Sequence, residues 1–253
     1  MGLHRFSAAV CANSPISIPQ QRLWRRLWWT CFFRDRWLSL TMGRPLRINM
    51  NDCNTIPPSA GDMLSDFAGL PESISAAYVP KDLAQLADYW VILIQLTQLL
   101  GDTLTLCYQP FGASSSIEQV EALEQKILHF PLPENQGTGQ SPLATFYLYH
   151  LQLHYQWVST PYLSIPALTA KRAFIITFYR PFITKDPEGL PASRQDTWNS
   201  HVRNQINTAA LQTNAIVDNL ANEKLLAFSG PMTWVRKSPQ IIFYLTITSG
   251  RRC

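Results

Sequence analysis

The sequence predicts an all-α protein, an irregular multi-helix bundle with long proline-containing loops. Three observations carry this reading. Apolar residues recur at helical spacing through several separate segments. Eighteen Pro against eleven Gly fit helices divided by irregular loops better than a sandwich of strands with glycine turns. Hydrophobic residues at 46% and charged residues at 15% of 253 positions suffice to pack a sizeable core.

Taken in order, the first helix begins at Pro19, which suits a first turn, and runs unbroken from Gln20 to Met42. Gly43 fits the left-handed position after its end, and Pro45 prevents continuation. Leu23, Leu27, Cys31, Leu38 and Met42 share one face with Trp24 and Trp28, while Trp29, Phe33, Trp37 and Leu40 fall on another. A helix apolar on two sides belongs inside a bundle. Residues 48–79, with Pro57, Pro58, Gly61, Gly69 and Pro71, read as a loop with one short helix at most. A second helix fits Lys81 to Leu100, with Leu83, Leu86, Ala87, Trp90 and Ile94 inward. Gly101 is a bend there, or Asp102 a restart toward Tyr108. A third runs from about Ser116, a suitable N-cap, to Phe130, and a polar loop follows. The fourth starts near Leu143 and is rich in Tyr and His through Trp157. Val158 to Phe174, with Pro161 and Pro166, interrupts that pattern before the apolar run Ile175 to Phe178. The last helix fits Trp198 to Phe228, with Ile206, Ala209, Ala210, Thr213, Ile216, Val217 and Leu220 at helical spacing.

Composition sets aside several classes. A net charge of +4 spread over the whole length is no argument for nucleic acid. Cys11, Cys31, Cys53, Cys107 and Cys253 lack metal-ligand spacing, and an odd, scattered set is no disulfide framework, so reduced intracellular thiols are expected. The N-terminus has no apolar stretch suited to a signal peptide, and Phe6 breaks a myristoylation pattern. Tyr89 to Gly101, the most apolar stretch, is too short to cross a bilayer, and a soluble protein without a membrane partner is expected.

The text Arg25-Arg26-Leu27-Trp28-Trp29, then Asp35-Arg36, then Gly43-Arg44-Pro45-Leu46 resembles the signature of the fungal-specific transcription factor domain, the middle homology region of zinc-cluster regulators. Gly2-Leu3-His4-Arg5, Asp52, the Pro57–Pro58 pair and Tyr179-Arg180-Pro181-Phe182 also resemble that family, extending the likeness over residues 2 to 184. The signature residues are Arg26, Trp28, Trp29, Asp35, Gly43, Arg44, Pro45, Arg180 and Pro181, all expected to be structural. On this division residues 1–184 are the regulatory domain lacking its start, 185–233 its helical extension and 234–253 an irregular tail. The resemblance implies a nuclear regulator of transcription, with DNA read only through a separate six-cysteine zinc module that would hold the family's zinc ions. It also implies contacts with a second copy or with the transcription machinery, and a small-molecule effector between helices.

Residues that invite other chemistry have plainer readings. Asp35 borders apolar positions, and a carboxylate there needs a partner, for which Arg44 or Arg26 is expected. Seven arginines lie between Arg22 and Arg47. They suit a phosphate surface less well than a tryptophan-rich helix whose arginines snorkel, cap carbonyls or pair with acids elsewhere. His150 and His154 stand one helical turn apart, but no third ligand or zinc-protease glutamate accompanies them. Asp62 and Asp66, and Glu118, Glu121 and Glu124, read as solvated carboxylates. Ser229-Gly230 lacks a nucleophile elbow. No catalytic residue, cofactor site or metal site is expected. A helical metabolic enzyme or small-molecule-binding protein, or a non-functional fragment of a regulator gene, are the competing readings. Val158 to Phe174 is expected to be translated intron or a lineage-specific loop, since its removal leaves a continuous helical approach to the Arg180-Pro181 element.

Overall fold

The structure, a computed structural model, describes residues 16–108, 114–133, 141–156 and 174–225. Among these the regular structure is helical: α1 (Ile18–Met42), α2 (Ala60–Leu64), α3 (Glu72–Tyr78), α4 (Leu83–Cys107), α5 (Ile117–Leu128), α6 (Pro142–Gln156), α7 (Phe174–Tyr179) and α8 (Gln195–Asn222). Short 3-10 turns lie at Met50–Asp52, Arg180–Ile183 and Ala192–Arg194. An isolated parallel bridge joins Ser116 to Glu188. The all-α expectation holds.

Local chemistry sets most of these boundaries. Pro19 occupies the first turn of α1, where its missing N–H costs nothing. Gly43 ends the helix at φ 61°, a left-handed conformation. The Gly43 and Arg44 N–H groups then donate to the Ser39 carbonyl. At α5 the Ser116 hydroxyl accepts from the Gln119 N–H while the Gln119 side chain accepts from Ser116, a reciprocal capping box. Neither Gly101 nor Asp102 interrupts α4, which runs through them for 25 residues. By length and composition α4 is the one described helix that could cross a bilayer. Here it is the centre of the bundle, packed against α1, α2, α5, α6 and α7.

One core joins nearly every element. Trp37 of α1, Leu96 and Leu100 of α4, Val120 and Ile127 of α5, Leu148 and Leu151 of α6, Phe178 and Tyr179 of α7, and Trp198, Val202 and Ile206 of α8 form a single buried cluster. The first half of α8 therefore packs on the same core as the helices before it, while Ile216, Leu220 and Leu225 form a separate cluster with Phe146 and Tyr149 of α6. Another cluster sets Trp28, Trp29 and Phe32 of α1 against Ile94 of α4, with Ile48, Met50 and Cys53 beside it.

Three expectations need correction. The 48–79 stretch holds two short helices and a 3-10 turn rather than one helix at most. Within α4, Ala87 and Ile94 are buried, but Leu83, Leu86 and Trp90 are only half-buried. In α1 only one side is inside: Trp28, Trp29, Phe32, Asp35, Arg36, Trp37 and Ser39 are buried. Leu23, Leu27, Cys31 and Met42 are exposed and Leu38 is half-buried. Both sides of this helix are apolar, so periodicity alone did not choose between them. The residues Gly2–Arg5, Cys11, Ser229, Gly230, Cys253, the tail after Thr233 and all of Val158 to Phe174 except Phe174 lie outside the described residues.

Candidate functional site: the signature helix and its return strand of chain

The residues singled out around Asp35 are brought together by the chain doubling back along α1. After Gly43 the backbone runs toward the helix's N-terminal end and is fastened at successive points. The Ser39 hydroxyl donates to the Pro45 carbonyl at 3.3 Å. Asp35 accepts from the Arg47 N–H at 3.2 Å and from the Ile48 N–H at 3.2 Å. Trp29 donates its indole N–H to the Ile56 carbonyl at 2.8 Å. Arg25 reaches Asp62 at 2.8 Å, and Arg26 pairs with Asp66. The anchors move down the helix from Ser39 to Arg25 as the partners move up the chain from Pro45 to Asp66. Signature residues Arg26, Trp28, Trp29, Asp35, Gly43, Arg44 and Pro45 thus share one device.

Asp35 does fasten the helix to the loop behind it, but through other partners than expected. Its ion-pair partner is Arg36, at 2.9 Å, with both side chains buried. Arg44 supplies a backbone N–H to the helix cap instead, and Arg26 faces Asp66. The reason is geometric. Arg44 stands past the left-handed turn, whereas Arg36 shares the buried side of α1. Its guanidinium lies 3.9 Å over the Phe32 ring and against Gly101 of α4, where a Cβ would stand 3.1 Å from its Nε. A Cβ at position 101 would be tight against Arg36, so the glycine of this 25-residue helix eases the close approach. Burial lowers the Arg36 pKa, and the neighbouring Asp35 opposes that by raising it.

Two acids expected to be solvated, Asp62 and Glu124, are buried. Asp62 is buried; it accepts from the Ser59 N–H at 3.0 Å as the capping box of α2 while bonding Arg25. Glu124 is buried among α5, α7 and α8, where it accepts from the Tyr179 hydroxyl and meets His201 Nε2 at 2.8 Å. Glu124 was legible in retrospect, since it falls on the same face as Val120, Leu123 and Ile127. Asp62 was not, because its partner lies 37 positions away. Glu118 is exposed, and Glu121 bonds Arg194 at 2.7 Å near the surface.

The Arg180-Pro181 element sits apart from the Asp35 device. It forms a 3-10 turn after α7, with Arg180 exposed and Phe182 buried against Phe178 and Trp198. His154 is buried with its ring 4.2 Å from Trp37 and 4.4 Å from His150. Burial lowers the His150 pKa to about 4 and pushes His154 well below its ordinary range. Among the described residues no group of three or more His, Cys, Asp or Glu side chains is placed to hold a metal ion.

The model of the fungal-specific transcription factor domain matches residues 1–136, more than half of the chain, and the protein belongs to that family. The match ends before Arg180 and Pro181, so it is shorter than the 2 to 184 expected. The chain is similar to Cutinase transcription factor 1 alpha of Fusarium vanettenii, with 28% identity over 123 residues, covering 49% of this chain and 12% of that protein. It is also similar to Cutinase transcription factor 1 beta of the same organism, with 42% identity over 52 residues, 21% of this chain and 5% of that protein. The Acetamidase regulatory protein of Aspergillus fumigatus is 34% identical over 79 residues, 31% of this chain and 9% of that protein. The matched segments thus span only a small part of these relatives' length. No solved structure matches. The chain carries a regulatory domain of a fungal transcription factor.

Proposed function

We propose that this chain is the non-catalytic regulatory body of a nuclear transcription factor, setting activation through contacts made by its helical framework. DNA is reached through a zinc-cluster module separate from the chain, and the zinc ions belong there. The framework's partners are the transcription machinery or a second copy, with a small-molecule effector between helices as an input. Family membership carries this reading. The internal use of Arg25, Arg26 and Arg36 supports it, because arginines already paired to Asp62, Asp66 and Asp35 are poorly placed to neutralise DNA phosphates.

The test is to fuse the chain to a heterologous DNA-binding domain of known site and measure a reporter in fungal nuclei. The fusion should change reporter output relative to the DNA-binding domain alone, and Asp35→Asn in the fusion should abolish the change. Output indistinguishable from the bare DNA-binding domain, with the fusion present and nuclear, would overturn the reading.

A further inference from the structure

The outward side of α1 carries a series of apolar residues, interrupted by the exposed Thr30, Arg34 and Thr41, and no acid of α1 lies on it. Leu23, Leu27 and Cys31 are exposed, Leu38 is half-buried and Met42 is exposed again, following one another at helical spacing over nineteen steps. At about 1.5 Å per residue the stripe is about 28 Å long, the length of a five-turn helix. Leu27 is 47% and Met42 65% exposed, well beyond what a core position shows. Arg34 is exposed within the stripe, between Cys31 and Leu38, and pairs with no carboxylate among the described residues. The only acid in α1, Asp35, is buried with Arg36 and bonded to Arg47 and Ile48. Arg26, at the stripe's flank, is held by Asp66.

We infer that this stripe docks an acidic amphipathic helix of a partner protein. A helix laid along another buries leucines at every turn through i, i+4 spacing, and the Leu23, Leu27 and Cys31 series offers that register. Charge selects the occupant. A second copy of this chain, related by a two-fold axis, would bring an Arg34-bearing, acid-free stripe against its like, and like charges across an interface are repelled. A partner with glutamate or aspartate beside its leucines meets Arg34 with opposite charge. This deepens the partner-contact role proposed above and rests on it for biological meaning. Peptide binding involves no transcription, so the two claims fail separately.

The experiment uses the full chain and two synthetic helical peptides with leucines at i, i+4 and i+8, one flanked by glutamates and one by lysines. Fluorescence anisotropy should show the glutamate peptide binding at least tenfold more tightly than the lysine peptide, a difference of about 1.4 kcal/mol. Arg34→Glu, a change at an exposed position, should reverse the preference, and Leu27→Ser should weaken the glutamate peptide. Bound glutamate peptide should also shield Cys31 from a polar thiol reagent, read by peptide mass mapping. Equal binding of both peptides, or no binding, overturns the inference. So does self-association removed by Leu27→Ser, which would make a second copy the occupant. Cys31 already shielded in the chain alone would mean that the chain covers its own stripe, and would overturn it too.

Discussion

His154 shows how a residue that invites a functional reading acquires a structural one. Its spacing from His150 suggests ligands, yet its ring lies edge-on to Phe33 and tilted against Trp37 inside the bundle. Desolvation holds both imidazoles neutral in the folded chain, His150 down to about 4. In the unfolded chain both take up protons near pH 6.5. The unfolded state therefore binds more protons below that value, and stability falls as pH drops from about 6.5 toward 4. Each histidine adds at most about 1.4 kcal/mol per pH unit to that slope. Urea midpoints at pH 7 and pH 5.5 should show the loss, and His150→Gln should reduce it. A midpoint unchanged between the two pH values would mean that the histidines are solvated.

At the scale of the element, α1 was legible at its ends and ambiguous about its faces. Pro19 and Gly43 state where the helix begins and stops by backbone chemistry alone. Which apolar side faces inward depends on what packs there, and that is decided by α4 and the returning chain, far away in sequence. The same limit hid Arg36, which local spacing makes one arginine among seven. Its close approach to α4 is eased by Gly101. An exposed glycine inside a helix gains about 1 kcal/mol on change to alanine. Gly101→Ala should instead lower the melting temperature, because the new Cβ would press on Arg36 Nε at 3.1 Å. A raised melting temperature would show that Arg36 can move aside without loss. At α5, Ser116→Ala removes the reciprocal cap and should cost about 1 kcal/mol of unfolding free energy.

For the whole molecule, the question is what makes one body of helices separated by long loops. The buried cluster supplies most of the free energy, and two polar knots fix its arrangement. One joins α1 to the returning chain and α4 through Asp35 and Arg36; the other joins α5, α7 and α8 through Glu124, Tyr179 and His201. Glu124→Ala takes the carboxylate from both the Tyr179 hydroxyl and His201, leaving these two only each other at 3.0 Å, and should cost about 1 kcal/mol. Because α8 shares the main core, that loss should appear in one cooperative transition seen equally by fluorescence and circular dichroism. Separate transitions would divide 185–225 from the rest. The family could be read from the RRLWW, Asp35 and GRP text, and the all-helical architecture from the helical spacing of apolar residues. The two knots could not, since Asp35 and Arg36, though adjacent, are joined to Arg47, Ile48 and Gly101, and Glu124 to Tyr179 and His201, only in the folded chain.

The central claim is that the signature residues of α1 hold the fold through a buried Asp35–Arg36 pair rather than through Arg44. A double-mutant cycle in urea tests it most directly, using Asp35→Asn, Arg36→Met and both together, with Arg44→Ala in the same series. Asp35→Asn strands a buried cation and should cost about 3–5 kcal/mol. The double variant should be more stable than Asp35→Asn alone, and Arg44→Ala should add independently of Asp35→Asn. Additive losses at Asp35 and Arg36, or coupling between Asp35 and Arg44, would contradict the account.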